Sequence, residues 1–347
     1  MRMADLNPSF TREARGRRFS GLSGRLNAAA IAVAIGALLA ACAPAASPSI
    51  APSLSPVGSA STLQASPTAA SPFPLTLVDD EGTSVTIPAE PRRIVSLTPG
   101  TTEILFALGV GDRVLATDSA SDYPAAADEL PDVAAFGTVD AEKIVGLEAD
   151  LVIAGGNGYT PPDGVTKLRS LGIPVLVVYA ATVAGVSGDV EHVGKAVGRA
   201  AEGTELAAVM RADLAALAAA AGSLPKPRTF YEVDATNEIY GPADHSFLAE
   251  MVELAGGSPV TSGSADNFEI PLERLIAADP EVIILGDAAF GTTADAVAKR
   301  PGWGVMTAAR AGAVRVADDK LITRPGPRLA QGLRSLILAI HPGAALR

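Results

Sequence analysis

Two carboxylates, one thiol and a thin scatter of aromatic and cationic side chains are the groups in this chain with chemistry to offer. The segment Glu142-Lys-Ile-Val-Gly-Leu-Glu-Ala-Asp-Leu-Val-Ile-Ala-Gly155 aligns without gaps with Glu273-Arg-Leu-Ile-Ala-Ala-Asp-Pro-Glu-Val-Ile-Ile-Leu-Gly286. Each copy reads as an acid-headed amphipathic helix, a turn and a buried strand. Glu142 and Glu273 therefore open equivalent helices, where a carboxylate complements the helix dipole by about 0.3–1 kcal/mol. The only cysteine, Cys42, ends the apolar stretch that begins at Ala28. A lone cysteine excludes a disulfide framework.

Catalytic chemistry finds little support. The chain has no G-x-S-x-G elbow, no P-loop and no G-x-G-x-x-G after a strand. Gly155-Gly156-Asn157-Gly158 could cradle an anion but fits no dinucleotide fingerprint. His192, His245 and His341 are scattered and do not form the clustered ligand set of a zinc or manganese receptor, so no metal or cofactor is expected. A cell-surface hydrolase is the alternative from another class; it would need a nucleophile and a base brought together by the fold.

The leader explains where Cys42 sits. Arg2, Arg12, Arg15, Arg17, Arg18 and Arg25 make a basic head, and AAAIAVAIGALLAA (28–41) makes an apolar core. That core falls short of the ~20 residues that span a bilayer, so it reads as an export signal over 1–41. Leu39-Ala40-Ala41-Cys42 resembles the lipobox of bacterial lipoproteins, which implies cleavage before Cys42 and diacylation of its thiol. Residues 42–74 are Pro, Ala and Ser with almost no charge, and read as a disordered membrane tether.

From Leu75 the chain alternates strand and helix. LTLVDDEGTSVTI reads as a hairpin. RIVSL (93–97), RVLATD (113–118), DLVIAG (150–155) and PVLVVY (174–179) read as buried strands separated by the helices TTEILFALG, AEKIVGLE and GVTKLRSLG. A long helical region follows over 183–221, with a break expected at Gly203. A second alternation then runs through RTFYEVD, HSFLAEMVELAGG, EVIILG, ADAVAKR, AVRVAD and a closing helix over 327–340. The pattern predicts an α/β protein of two Rossmann-like lobes with parallel-rich sheets, bridged by a single long α-helix, with a ligand cleft between them. The expected bounds are 75–200 for the N-terminal lobe, 201–224 for the bridging helix and 225–347 for the C-terminal lobe. One stiff helical link predicts little domain closure. A formal charge of −11 argues against nucleic acid.

PRRIVSLTPGTTEILFALGVGDRVLATD, SDYP (121–124), LPDVAAFGTVDAEKIVGLEADLVIA and FLAEMVELAGG, in that order and spacing, resemble the class III substrate-binding proteins of ABC importers. That family binds cobalamin, haem and ferric siderophores, and the SDYP block with the LP-x-V block is most similar to its cobalamin-binding members. The resemblance covers residues 75–343. It implies a monomeric receptor on the outer face of the cytoplasmic membrane, working with a permease and its ATPase. It also implies that Glu142 and Glu273 dock on permease arginines. A sensor without transport is an alternative, though it would not need two symmetric acids.

Candidate cleft residues lie after strand ends: Asp122, Tyr123, Phe136 and Tyr159 on one lobe, with Thr98, and Tyr240, His245, Phe268 and Arg324 on the other, with Phe290, Trp303 and Arg328. Phe136 falls where cobalamin-binding relatives place a tryptophan against the corrin, and Arg324 matches a cleft arginine. The relatives' flanking aromatics have no counterpart at Ala120 or Gly155. A catecholate siderophore would want several cations, and Arg324 and Arg328 face nearby Asp266 and Glu269. A haem would want an axial ligand such as Tyr159, Tyr240 or His245. A neutral, amide-fringed corrinoid suits the residue set best, with a ferric siderophore or haem as the alternatives.

Overall fold

A computed structural model describes residues 71–156 and 158–346. The leader, Cys42 and the linker to residue 70 lie outside the described residues. The first described elements are a hairpin of β1 (Leu75–Val78) and β2 (Ser84–Ile87), whose turn places Gly82 at φ 79°. Asp79 fastens the hairpin to the first lobe through an ion pair with Arg169 at 2.5 Å.

The apolar runs of the N-lobe become β3 (Ile94–Ser96), β4 (Val114–Asp118), β5 (Asp132–Ala135), β6 (Thr138–Val139), β7 (Leu151–Gly155) and β8 (Val175–Val178). They lie in the order β6-β5-β4-β3-β7-β8, parallel except for the β5–β6 hairpin. The helices α1 (Pro99–Ala107), α2 (Ala125–Asp128), α3 (Ala141–Gly146) and α4 (Pro162–Ser170) connect them. Every residue of β7 and β8 is buried, as expected of parallel strands covered on both faces.

The helical region divides into α5 (Val186–Ala196) and α6 (Ala200–Gly222). The break falls at residues 197–199, where Gly198 takes φ 73°, and not at Gly203. Gly203 lies inside α6 and sets its approach to α5. A Cβ on Gly194 would meet the Gly203 Cα at 3.0 Å and the Arg199 carbonyl at 2.8 Å.

In the C-lobe the chain forms β9 (Arg228–Glu232), α7 (Phe247–Leu254), β10 (Ser258–Pro259), α8 (Leu272–Ala278), β11 (Val282–Leu285), α9 (Ala294–Ala298), α10 (Thr307–Arg310), β12 (Val314–Val316), α11 (Asp319–Ile322) and α12 (Leu329–Ile340). Its sheet is all parallel in the order β10-β9-β11-β12. Setting the β5–β6 hairpin aside, this repeats the β4-β3-β7-β8 order of the N-lobe. One apolar core runs from Ile94 and Leu105 through Val190, Met210 and Leu214 to Tyr231, Leu333 and Ile337, so α6 joins lobes that share a core.

The internal repeat extends to side-chain detail. Glu148 and Asp279, equivalent residues after α3 and α8, both adopt left-handed φ, 51° and 43°. Arg93 Nε donates to the carbonyls of Leu147 (3.0 Å) and Glu148 (3.2 Å), and Arg228 Nε to those of Ala278 (3.0 Å) and Asp279 (2.9 Å). Asp150 accepts the Arg93 amide at 2.9 Å, and Glu281 accepts the Arg228 amide at 3.0 Å. In each lobe one arginine at the start of the first core strand thus satisfies the orphan carbonyls at the end of the acid-headed helix.

Asp189, in α5, is buried, and burial together with the Asp80 carboxylate pushes its pKa up to about 7. A folded-state pKa above the unfolded value means the native state holds the proton more tightly. Stability is therefore lost as pH rises from about 4 to about 7 and is level beyond. Asp189→Asn removes this loss, so urea unfolding should show the variant more stable by about 2–4 kcal/mol at pH 8 and close to wild type at pH 3.5. A gain independent of pH would refute the assignment.

Candidate functional site

In both sheets the candidate side chains follow the carboxyl ends of parallel strands, the place where open α/β sheets bind ligands. The N-lobe end is floored by hydroxyls. Ser96 Oγ lies 2.7 Å from Thr101 Oγ1, Thr102 Oγ1 lies 2.8 Å from Ser121 Oγ, and Thr98 caps α1. Beneath them Asp118 is buried and accepts hydrogen bonds from Ser121 and, at 3.0 Å, from the Tyr159 hydroxyl. Burial raises the Asp118 pKa, and these hydrogen bonds only partly oppose it. The Tyr159 hydroxyl is raised well above its ordinary value by burial and by Asp118. Tyr159 is thus committed to Asp118 and does not offer a free phenolate.

Thr98, with Tyr159 behind it, accounts for the glycine at 155. A Cβ there would lie 2.4 Å from Thr98 Cγ2 and 3.3 Å from the Tyr159 Cβ, so the space is filled from the side. The Tyr159 ring meets Phe136 edge-on, with centroids 5.7 Å apart and planes at 81°. Phe136 sits in the β5–β6 turn, half-buried. Two residues distant in sequence therefore form one aromatic wall.

Asp122, Tyr123 and Arg324 come together across the lobes. Arg324 Nη1 donates to Asp122 Oδ1 at 2.6 Å and its Nη2 to the Ala120 carbonyl at 3.0 Å, while Lys320 also pairs with Asp122. Burial pulls the Asp122 carboxyl upward, but Arg324 and Lys320 outweigh it and hold it below the usual carboxylate range. Arg328, the residue before α12, grips Glu103 of α1 with Nε–Oε2 at 2.8 Å and Nη2–Oε1 at 2.5 Å. Its guanidinium lies 3.8 Å from the centroid of the Tyr123 ring. The backbones touch at the same place: a Cβ on Gly100 would lie 2.4 Å from the Pro325 carbonyl oxygen. Glu103 and Lys320 escaped the sequence reading. Glu103 had a signal, an acid inside the apolar run TTEILFALG, which demands a buried partner.

The C-lobe candidates divide. Tyr240 pairs by backbone with Asp234 and Glu269, and the Gly241 amide donates to the Phe268 carbonyl at 2.9 Å, so Tyr240 and Phe268 share one loop pair. His245 is exposed on a left-handed turn, φ 57°. Trp303 is buried against Phe230 with Arg300 over its ring, which makes it a core residue instead of a cleft contact. Arg300 pairs with the fully buried Glu232 at 2.6 and 2.9 Å. Phe290 is exposed after β11. Among the described residues no cluster of three histidine, cysteine or acidic side chains could hold a metal ion. Nor is any described helix long and apolar enough to cross a membrane.

Glu142 and Glu273 are both exposed in the first turns of α3 and α8. Their basic neighbours are engaged elsewhere: Lys143 Nζ pairs with Asp140 at 3.3 Å, and Arg274 Nε donates to the Thr261 carbonyl at 3.2 Å. Among the described residues neither glutamate enters a salt bridge.

Comparison with known proteins matches residues 94–321 to the Periplasmic binding protein family. The chain is 32% identical, over 78% of its own length and 86% of the relative's, to YvrC of Bacillus subtilis, an uncharacterized ABC transporter substrate-binding lipoprotein. It is 31% identical, over 58% of its length and 73% of the relative's, to the vitamin B12-binding protein of Vibrio parahaemolyticus. Among solved structures, the periplasmic heme-binding protein RhuT of Roseiflexus, in apo form, superposes with a TM-score of 0.66 and 28% identity, covering 73% of this chain and 99% of that one.

Proposed function

The chain belongs to the periplasmic binding protein family, and we propose that it is the extracytoplasmic binding component of an ABC importer, capturing a corrinoid and delivering it to the permease and its ATPase. It is not an enzyme in this reading. Cys42 carries the lipid anchor, so the protein is held as a monomer on the outer face of the cytoplasmic membrane.

One observation carries the choice of ligand. Arg324 and Arg328 are paired with Asp122 and Glu103, and Lys320 shares Asp122, so three cations stand against two carboxylates and leave a single net positive charge, too little for a polyanionic ferric catecholate. A corrinoid presents neutral amides around an apolar face and needs no protein ligand to its metal. The Phe136–Tyr159 wall offers such a face a contact surface. The vitamin B12-binding relative supports the same choice. Haem is the second reading, on the likeness to RhuT, with exposed His245 as its axial ligand.

The test is the ultraviolet–visible spectrum of purified protein after incubation with cyanocobalamin, haemin or a ferric catecholate and removal of free ligand. Retention of the corrinoid bands alone is expected; a retained haem or iron-catecholate spectrum overturns the reading. Phe136→Ala should weaken cyanocobalamin binding by ~0.5–3 kcal/mol in a calorimetric titration, through lost apolar contact. Unchanged affinity would remove Phe136 from the site.

A further inference from the structure

Beyond β4, the loop of residues 119–124 carries two candidate ligand contacts, Asp122 and Tyr123, and these two side chains find partners on the other lobe. Asp122 is held by Lys320 and Arg324, the Ala120 carbonyl by Arg324, and one face of the Tyr123 ring by Arg328. With Arg328 over its ring, Tyr123 still remains 46% exposed. We infer that the C-lobe segment 320–328 is a strap that sets this N-lobe loop, with Arg328 and Glu103 as positioning residues that present the Tyr123 ring to the ligand. The inference rests on the reading of the cleft as the ligand site.

The geometry supports a positioning role over general glue. A bidentate guanidinium–carboxylate pair fixes the plane of the arginine as well as its place. Here that guanidinium lies over the Tyr123 ring, 3.8 Å from its centroid, so Glu103 places the group that meets the tyrosine. Glu103 is buried, so its carboxylate cannot turn to solvent when Arg328 is lost. Arg324 reaches Glu103 as well, at 3.7 Å, which ties the two arginines into one cluster. The Gly100–Pro325 backbone contact holds the strap at a distance that both arginines can span.

Hydrogen-exchange mass spectrometry on detergent-solubilised full-length protein without ligand, beside calorimetric titration with cyanocobalamin, tests this. Arg328→Gln should speed exchange of amides in 119–124 at least tenfold while leaving β7 and β8 within twofold of wild type. It should also weaken cyanocobalamin binding at least tenfold. Arg328→Lys, which keeps the charge but loses the fork, should do the same and serves if the glutamine variant does not fold. Exchanging the partners, Glu103→Arg with Arg328→Glu, should recover part of the protection. In a Tyr123→Ala background the effect of Arg328→Gln on affinity should shrink below threefold, because the residue through which it acts is gone. Exchange in 119–124 within twofold of wild type overturns the inference, as do affinity losses that multiply. If wild-type protein takes no cyanocobalamin, the ligand reading falls and the exchange rates alone decide the strap.

Discussion

Uptake of labelled cobalamin should fall to background in cells whose receptor carries Glu142→Ala together with Glu273→Ala, while the purified double variant binds cobalamin as tightly as wild type. The two acids open equivalent helices on two lobes that share a core, so their separation is fixed by the fold. Among the described residues neither enters a salt bridge, and the adjacent Lys143 and Arg274 are turned to Asp140 and Thr261. Two rigidly spaced, unpaired carboxylates suit a partner that offers two cations at a matching distance. A charged hydrogen bond lost on one side should weaken the complex by ~1–3 kcal/mol, and the loss of both compounds it. Reversal to lysine should be worse than alanine, because like charges then oppose each other. Normal uptake by the double variant would remove the docking role. Lost uptake with lost binding would move the two residues into the ligand site or the core.

Much of this scaffold was legible because fully buried parallel strands read as short apolar runs. The hairpin β1–β2, strands β3, β4, β7, β8, β9, β11 and β12, and helices α1, α3, α4, α7, α8, α9 and α12 stand where apolar runs and periodicity put them, whereas the four-residue helices α2, α10 and α11 are too short to show a period. What escaped has physical reasons. β5, β6 and β10 are two to four residues long and read DVAA, TV and SP, so no sustained apolar run announces them. The helix break moved from Gly203 to 197–199 because one glycine serves close packing while Gly198 serves a left-handed turn. Local pattern also says nothing of partners such as Asp122 and Lys320, 198 residues apart, or Glu103 and Arg328, 225 apart. Arg324 and Arg328 therefore read as free cleft cations, and the fold shows them neutralised. The candidates Phe136 and Tyr159 were visible singly, but their mutual contact depends on β5 and β7 ending on the same edge of one sheet.

Gly100→Ala should act as a wedge between the lobes. Gly100 has an ordinary helical conformation near the start of α1, so alanine is acceptable to the backbone and even favoured by propensity. The obstacle is tertiary: the new Cβ would lie 2.4 Å from the Pro325 carbonyl oxygen and 3.2 Å from its carbon. Backbone atoms have no rotamer to change, so the strap itself must move. Pro325 stands between Arg324, which holds Asp122, and Arg328, which holds Glu103 and Tyr123, so displacing it loosens both grips. Overpacking of this kind typically costs about 1–3 kcal/mol, and chemical unfolding should show a loss of that size. Because the displaced atoms carry the strap, affinity for cyanocobalamin should fall more than about tenfold, a further ~1.4 kcal/mol or more. Gly188→Ala, in the interior of α5 with nothing within 4 Å of the added methyl, is the control and should be neutral or stabilising by up to about 1 kcal/mol. Equal behaviour of the two variants would mean that the lobes yield at Gly100 without strain. A stability loss without an affinity loss would separate the lobe contact from the ligand site.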